Sequence, residues 1–304
     1  MRLRLGTRGS RLALVQAEEV AAPLRARGIE VEIAVIRTSG DRLAQAALAD
    51  FGGKALFVKE IEDALLEGRV DLAVHSLKDV PGRLPAGLCL AAFPPRADAA
   101  DALVTRDGRT LAELPAGAAV GTSSLRRQVL LHARRPDVRG EPIRGNVDTR
   151  LRKLEDGQYD ALILAAAGLA RLGLDLPGAR RLAVEEFVPA VGQGTIAVEA
   201  RAADRDTLAI LSAVDHTDTR VEAEAERAFV ERLDASCHAP VAGHAQLAGG
   251  ALSVTGMVAS ADGTRMLTAS VSGPASAARA LGEKLADELL ARGARPLLGA
   301  GGGS

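Results

Sequence analysis

Aromatic side chains are scarce in this 304-residue chain, which has no Trp, one Tyr and five Phe. Surfaces that hold single-stranded nucleic acid depend on aromatic stacking, so the shortage argues against one. A charge excess is missing too. Lys and Arg number 38 against 39 Asp and Glu, a net charge of −1, whereas nucleic-acid binders carry a basic surplus. We therefore expect no nucleic-acid partner. The two cysteines, Cys89 and Cys237, are too few for a disulfide framework or a zinc cage. Cys237, His238 and His244 match no strong metal-ligand spacing, so no metal is expected. Long apolar runs are absent as well. The longest, 161–170, contains Gly168 and falls short of the roughly 18 residues that cross a bilayer. Residues 1–8 hold no apolar signal core. The reading is a reduced, cytoplasmic protein with no membrane partner. Lys itself is rare, leaving 33 arginines among the basic residues. A GC-rich genome would explain that blandly. The functional alternative is recognition of carboxylates or phosphates by the planar guanidinium.

The residues that are present alternate in pattern. Strand signals at 2–7, 30–37, 70–75 and 88–93 interleave with helix signals opening at Ser10 and spanning 57–66. Pro94-Pro95 breaks the series. A second run then places strands at 118–121, 138–143 and 159–164, and helices at 123–133, 146–154 and 165–172. Pro189 and Gly192-Gln193-Gly194 mark another break, after which 195–201 reads as a strand returning to the first unit. This alternation predicts an α/β fold with mainly parallel sheets. Beyond Asp215 a helix at 218–233, strands at 241–247, 252–259 and 265–271, and a helix at 276–291 predict a small α+β domain. We expect domain 1 over 1–94 and 195–213, domain 2 over 97–190 and domain 3 over 216–300. Domains 1 and 2 are expected to form the two halves of a cleft.

One feature recurs at four junctions, each pairing a strand end with a small polar residue and basic neighbours. These are Gly6-Thr7-Arg8-Gly9-Ser10-Arg11, His75-Ser76-Leu77-Lys78-Asp79, Gly121-Thr122-Ser123-Ser124-Leu125-Arg126-Arg127 and Arg144-Gly145-Asn146-Val147-Asp148-Thr149-Arg150. Helix N-termini expose unpaired N–H groups and partial positive charge, so each junction is a candidate anion site. In open α/β sheets ligands gather outside the carboxyl ends of strands, where all four junctions fall. Any one could be an ordinary cap beside a solvated arginine. Four together imply a small ligand with several negative charges. The P-loop pattern is absent, and Gly192-Gln193-Gly194 lacks the third glycine of a dinucleotide fingerprint.

Asp79 is out of place among these cations. It is either a helix-start acid or a carboxylate that meets a cation or N–H on the ligand and stabilises developing positive charge. Cys237 lies in a loop, where thiols are more often reactive, although the spacing alone favours a half-buried inert thiol. Cys89, within Leu88-Cys89-Leu90, reads as core. His75 reads as structural rather than as a general base.

The four junctions, with Lys54-Ala55-Leu56-Phe57-Val58-Lys59-Glu60 and Pro189-Ala190-Val191-Gly192-Gln193-Gly194, resemble the hydroxymethylbilane synthase (porphobilinogen deaminase) family over almost the whole chain. The resemblance implies two α/β domains like the halves of a type II periplasmic binding protein, plus a small α+β C-terminal domain. It implies a dipyrromethane cofactor attached by a thioether to Cys237. The activity implied is head-to-tail condensation of four porphobilinogen molecules with loss of ammonia, then hydrolytic release of hydroxymethylbilane. Asp79 matches the catalytic carboxylate, facing pyrrole N–H groups and an azafulvene-like cation. Ser76, Lys78, Thr122, Ser123, Ser124, Arg126, Arg127, Arg144, Gly145, Asn146 and Arg150 match contacts to the cofactor and growing chain. Arg8, Ser10, Phe57, Arg171 and Gln193 match substrate-binding positions, with Phe57 in a lid-like segment. The partners implied are porphobilinogen and the growing oligopyrrole, bound by a monomer. Departures exist: Ala235-Ser236-Cys237-His238 stands where many relatives have Gly-Gly-Cys-Gln, Ala55 replaces a common Gly, and Asp50-Phe51 replaces a small residue and a basic one. A two-lobed solute receptor would explain the anion junctions equally well. It would explain neither Asp79 nor a loop cysteine in an added domain.

Overall fold

A computed structural model describes residues 2–37, 58–235 and 239–299. Within them the elements run, in chain order, β1 (Arg2–Thr7), α1 (Arg11–Arg25), β2 (Glu30–Val35), α2 (Lys59–Leu66), β3 (Leu72–Ser76), β4 (Leu88–Ala92), β5 (Asp101–Thr105), β6 (Ala119–Gly121), α3 (Leu125–Arg134), β7 (Arg139–Glu141), α4 (Val147–Glu155), β8 (Ala161–Ala165), α5 (Ala166–Arg171), β9 (Ala179–Arg181), β10 (Ile196–Arg201), α6 (Arg205–Leu211), α7 (Thr217–Leu233), β11 (Val241–Ala248), β12 (Ala251–Ala259), β13 (Met266–Pro274) and α8 (Ala278–Ala291). The chain divides into two compact units, residues 1–97 with 194–220, and residues 98–193 with 221–304.

The first unit holds a five-stranded sheet in the order β2-β1-β3-β10-β4. β1 runs parallel to β2 and β3, while β10 runs antiparallel to β3 and β4. The second unit repeats the plan in the order β7-β6-β8-β5-β9, with β5 antiparallel to both neighbours. In each sheet the antiparallel strand is the one that follows a passage of the chain from the other unit. The expectation of mainly parallel sheets thus holds for four strands of five. Because the remaining strands share a direction, their carboxyl ends line up along one edge of each sheet.

Both sheets bury near-continuous apolar strands, as two-sided packing demands. In the first unit Leu3, Leu5, Leu72, Val74, Ile196 and Val198 pack with Ala17, Val20 and Leu24 of α1. In the second, Leu103, Val120 and Ile163 pack with Val129, Leu130 and Leu131 of α3. The antiparallel sheet β11-β12-β13 belongs to the second unit and joins that core through Ala242, Met257 and Ala259. Its opposite face packs Val254 and Val271 against Phe229 of α7 and Leu285 and Leu289 of α8. Gly282 permits the close approach of α8 to α7, since a Cβ there would sit 2.1 Å from the carbonyl oxygen of Ala225.

Several local expectations need correction. Residues 77–79 form a single 3-10 turn rather than the start of an α-helix. Pro81 explains the stop, because the residue before a proline is driven to extended backbone, and Val80 has φ −77° and ψ 131°. The third-junction helix starts at Leu125, with Ser123 and Ser124 ahead of it. β5, β9 and α6 were not anticipated. The helix expected over 57–66 begins at Lys59; Phe57 lies outside the described residues, as does Cys237.

Candidate anion-binding site

In the first unit, β1 and β3 are parallel neighbours in register Leu5↔Leu72, so the junctions after them lie side by side. Ser10 caps α1, its side chain accepting from the Ala13 N–H at 3.2 Å. Buried Gln16, from the same helix, donates from Nε2 to Ser76 Oγ at 2.9 Å and ties α1 to the end of β3. Arg8, Ser10, Ser76, Lys78 and Asp79 are all partly exposed. Among the described residues the Asp79 carboxylate has no hydrogen-bond or ion-pair partner.

Beneath this turn His75 is buried and its Nε2 lies 3.1 Å from Glu199 Oε2 on β10. The structural reading of His75 therefore has a partner to account for it. Glu62 of α2 is buried nearby, and its carboxyl is pushed up to about 7 by burial and then by the Glu199 charge, with His75 opposing.

In the second unit β7, β6 and β8 are parallel neighbours, which places two more junctions together. Ser124 caps α3, accepting from the Arg127 N–H at 3.5 Å, and Thr122 Oγ1 accepts from the Ser124 N–H at 3.2 Å. Ser123 joins the two junctions, its hydroxyl donating to the Ile143 carbonyl at 2.6 Å and accepting from the Ile143 N–H at 3.0 Å. Asn146 caps α4, accepting from the Thr149 N–H at 2.9 Å. Gly145 has φ +107°, and a Cβ there would lie 2.7 Å from Thr149 Cγ2, so only glycine suits this turn. Arg150 folds back to the Gly145 carbonyl at 2.8 Å from Nε. Three of the four junctions are thus capped helix N-termini. Arg144 is exposed, and half-buried Arg171 lies in the last turn of α5.

Arg126 and Arg127 are buried, at the first turn of α3, where the helix dipole disfavours cations. Both meet the fully buried Asp101. Arg127 reaches Asp101 Oδ1 from Nε at 3.0 Å and Nη2 at 2.7 Å, and the Ile163 carbonyl from Nη1 at 2.9 Å. Arg126 Nη1 lies 2.8 Å from Asp101 Oδ2 and donates to the Val188 carbonyl at 2.7 Å. Gln193 closes the cluster, its Nε2 donating to Asp101 Oδ1 at 2.9 Å and to the Ala99 carbonyl at 2.7 Å. Burial alone would raise the Asp101 carboxyl, but the charges of Arg127 and Arg126 hold it well below the usual carboxylate range. Arg126 is shifted downward by burial, with Asp101 opposing. Among the described residues its buried Nε has no hydrogen-bond partner. One carboxylate facing two guanidiniums leaves the cluster net positive.

Sequence reasoning singled out the arginines but missed Asp101, Gln16 and Glu199. For Asp101 the available signal was a carboxylate opening the apolar run Ala102-Leu103-Val104. Among the described residues no cluster of His, Cys, Asp and Glu could hold a metal ion, and no helix is long and apolar enough to cross a membrane.

Residues 3–209 match the family model for the porphobilinogen deaminase, dipyromethane cofactor binding domain, and residues 220–291 match the porphobilinogen deaminase, C-terminal domain. The chain is 50% identical over 300 residues to the porphobilinogen deaminase of Syntrophotalea carbinolica, covering 98% of this chain and 95% of that protein. It is 51% identical over 298 residues to that of Chromobacterium violaceum, covering 97% and 96%. A solved structure of the Bordetella pertussis BvgS periplasmic VFT2 domain is similar over 70% of this chain and 86% of that one, at 18% identity and a TM-score of 0.42.

Proposed function

We infer the function from one premise: the chain belongs to the porphobilinogen deaminase family. It is a transferase of tetrapyrrole biosynthesis, a hydroxymethylbilane synthase that uses a dipyrromethane cofactor. It condenses four porphobilinogen molecules head to tail with loss of ammonia, then releases the linear tetrapyrrole by hydrolysis. The observation that carries this is the match of both family domains, in order, along nearly the full chain.

The second unit's residues fit the cofactor. A dipyrromethane bears acetate and propionate groups, and the net positive charge at Arg126 and Arg127 suits them. Cys237 holds it by a thioether, and when bound it supplies the pyrrole carbon on which chain growth begins. Thr122, Ser123, Ser124, Arg144, Gly145, Asn146 and Arg150, with Ser76 and Lys78 of the first unit, contact the cofactor and the growing chain. Their capped helix starts and cations compensate the carboxylates that accumulate with each ring. Arg8, Ser10, Phe57 and Arg171 receive and orient porphobilinogen, while Gln193, matched to the same set of positions but buried, acts through Asp101 and Arg127.

Asp79 is the catalytic carboxylate. As ammonia leaves porphobilinogen, positive charge develops on the substrate's pyrrole and methylene. A fixed anion with no partner among the described residues stabilises that charge and can hold the pyrrole N–H. The same carboxylate is placed to carry a proton between steps. We assign three domains, 1–94 with 195–213, 97–190 and 216–300, and a monomeric, cytoplasmic enzyme that binds no nucleic acid. Porphobilinogen consumption by the purified protein tests the reading. Steady consumption with release of a linear tetrapyrrole supports it, and binding without turnover would favour a receptor.

A further inference from the structure

We propose that Asp101 is a positioning residue for tetrapyrrole binding: it orients Arg126 and Arg127, and this rests on the reading that those arginines hold cofactor carboxylates. Asp101 opens β5, and its carboxylate is wholly buried. Its Oδ1 gathers Arg127 and Gln193, while its Oδ2 faces Arg126. Two adjacent guanidiniums buried at a helix N-terminus repel each other and the dipole. The carboxylate between them permits both to stay charged and buried. It also selects which N–H groups are spent internally. Among the described residues Arg127 uses Nε, Nη1 and Nη2 on Asp101, Ile163 and Gln193, whereas Arg126 bonds through Nη1 and leaves its buried Nε–H without a partner. The division is lopsided, and Asp101 sets it together with the Ile163 and Val188 carbonyls.

Removing the Asp101 charge separates two accounts by sign. If the arginines act only as positive charge, Asp101→Asn strengthens anion binding, because one more guanidinium charge is left uncompensated. If orientation matters, binding weakens although the site becomes more positive. We expect Asp101→Asn to lower the covalently loaded fraction at least tenfold by intact mass, and to raise KM for porphobilinogen more than it lowers kcat in the remaining loaded protein. A second variant separates positioning from structural support. Asp101→Asn with Gln193→Glu returns a carboxylate beside Arg127, whose Nη2 lies 3.4 Å from Gln193 Oε1, but not to the place facing Arg126. This pair should recover most of the melting temperature and still load poorly.

Recovery of loading together with stability in the double variant would overturn the proposal, as would full loading and an unchanged KM in Asp101→Asn. If Asp101→Asn does not accumulate as folded protein, the double variant decides alone: folded and unloaded supports positioning, while folded and loaded, or unfolded, refutes it. Arg126→Leu and Arg127→Leu belong in the same experiment. Full loading in both would remove the arginine reading on which the proposal rests. Loss of loading in both, with normal Asp101→Asn, would overturn the role of Asp101 alone.

Discussion

Replacing Asp79 by Asn removes a charge while keeping the size of the side chain, and the structure separates its consequences for folding and for chemistry. The carboxylate is partly exposed and makes no hydrogen bond or ion pair among the described residues. Its turn is held by the backbone, with Leu77 N–H donating to the Thr195 carbonyl at 2.9 Å and Val80 N–H to the Leu77 carbonyl at 3.1 Å. Folding stability should therefore change by no more than about 0.5 kcal/mol, as for other partly exposed substitutions without buried partners. The catalytic cost is larger. Losing one preorganised electrostatic partner costs on the order of 10²–10³ in rate, or about 3–4 kcal/mol. Loss of proton transfer at the same step pushes toward the larger figure. Asp79→Glu should retain more activity than Asp79→Asn, because the charge survives in a shifted position. Asp148→Asn, in the first turn of α4, is the control and should be mild. The assay is single-turnover porphobilinogen incorporation, with enzyme-bound species followed by mass spectrometry and melting temperature measured in parallel. Elongation within tenfold of wild type, equivalent to about 1.4 kcal/mol, would reduce Asp79 to a turn acid and refute the reasoning. So would a loss of rate that tracks a loss of stability.

Cys237→Ser should abolish covalent loading, whereas Cys89→Ser should not, because Cys89 sits in β4 and burial pushes its thiol up; intact mass of both variants checks this. Arg126→Leu should yield unloaded protein. Its intrinsic destabilisation should fall below the ~3–5 kcal/mol of a wholly orphaned buried charge, because Arg127 still pairs with Asp101. Arg8→Ala and Arg171→Ala should instead give loaded enzyme that elongates poorly, which native mass spectra would show. Glu62, raised from 4.5 to about 7 in the fold, binds more protons folded than unfolded across that window, so its contribution to stability is full below about 4.5 and is lost as pH rises toward 7. Glu62→Gln mimics the protonated acid, so the ratio of its stability to wild type should increase from pH 5 to pH 8, read by denaturant titration; an unchanged ratio would contradict the assignment.

Much of the fold was legible because its signals are local. The apolar runs that became β1, β3, β8 and β10, and the caps Ser10, Ser124 and Asn146, are written within a few residues of where they act. The cap signal at Ser76–Asp79 misleads because Pro81, two residues past the turn, overrides it. The antiparallel placement of β5 and β10 was not legible, since it depends on pairing between strands distant in sequence: Asp101 faces Ala165, and Ile196 faces Ser76. The same distance hid the charge cluster. Arg126 and Arg127 stood out beside their cap, but the carboxylate that holds them is some 25 residues earlier, and Gln193 comes 92 residues after Asp101. The place of Phe57 and the attachment role of Cys237 come from family resemblance, and both residues lie outside the described residues.

The intact mass of the purified protein, before and after porphobilinogen is added, tests the central claim most directly. The account predicts a resting mass above that of the polypeptide by two pyrrole units, located on Cys237 by peptide mapping. On addition of substrate that mass should climb in single pyrrole steps, to no more than four, before returning to the resting value. Catalytically active protein at the bare polypeptide mass, or one whose adduct maps to Cys89, would contradict it.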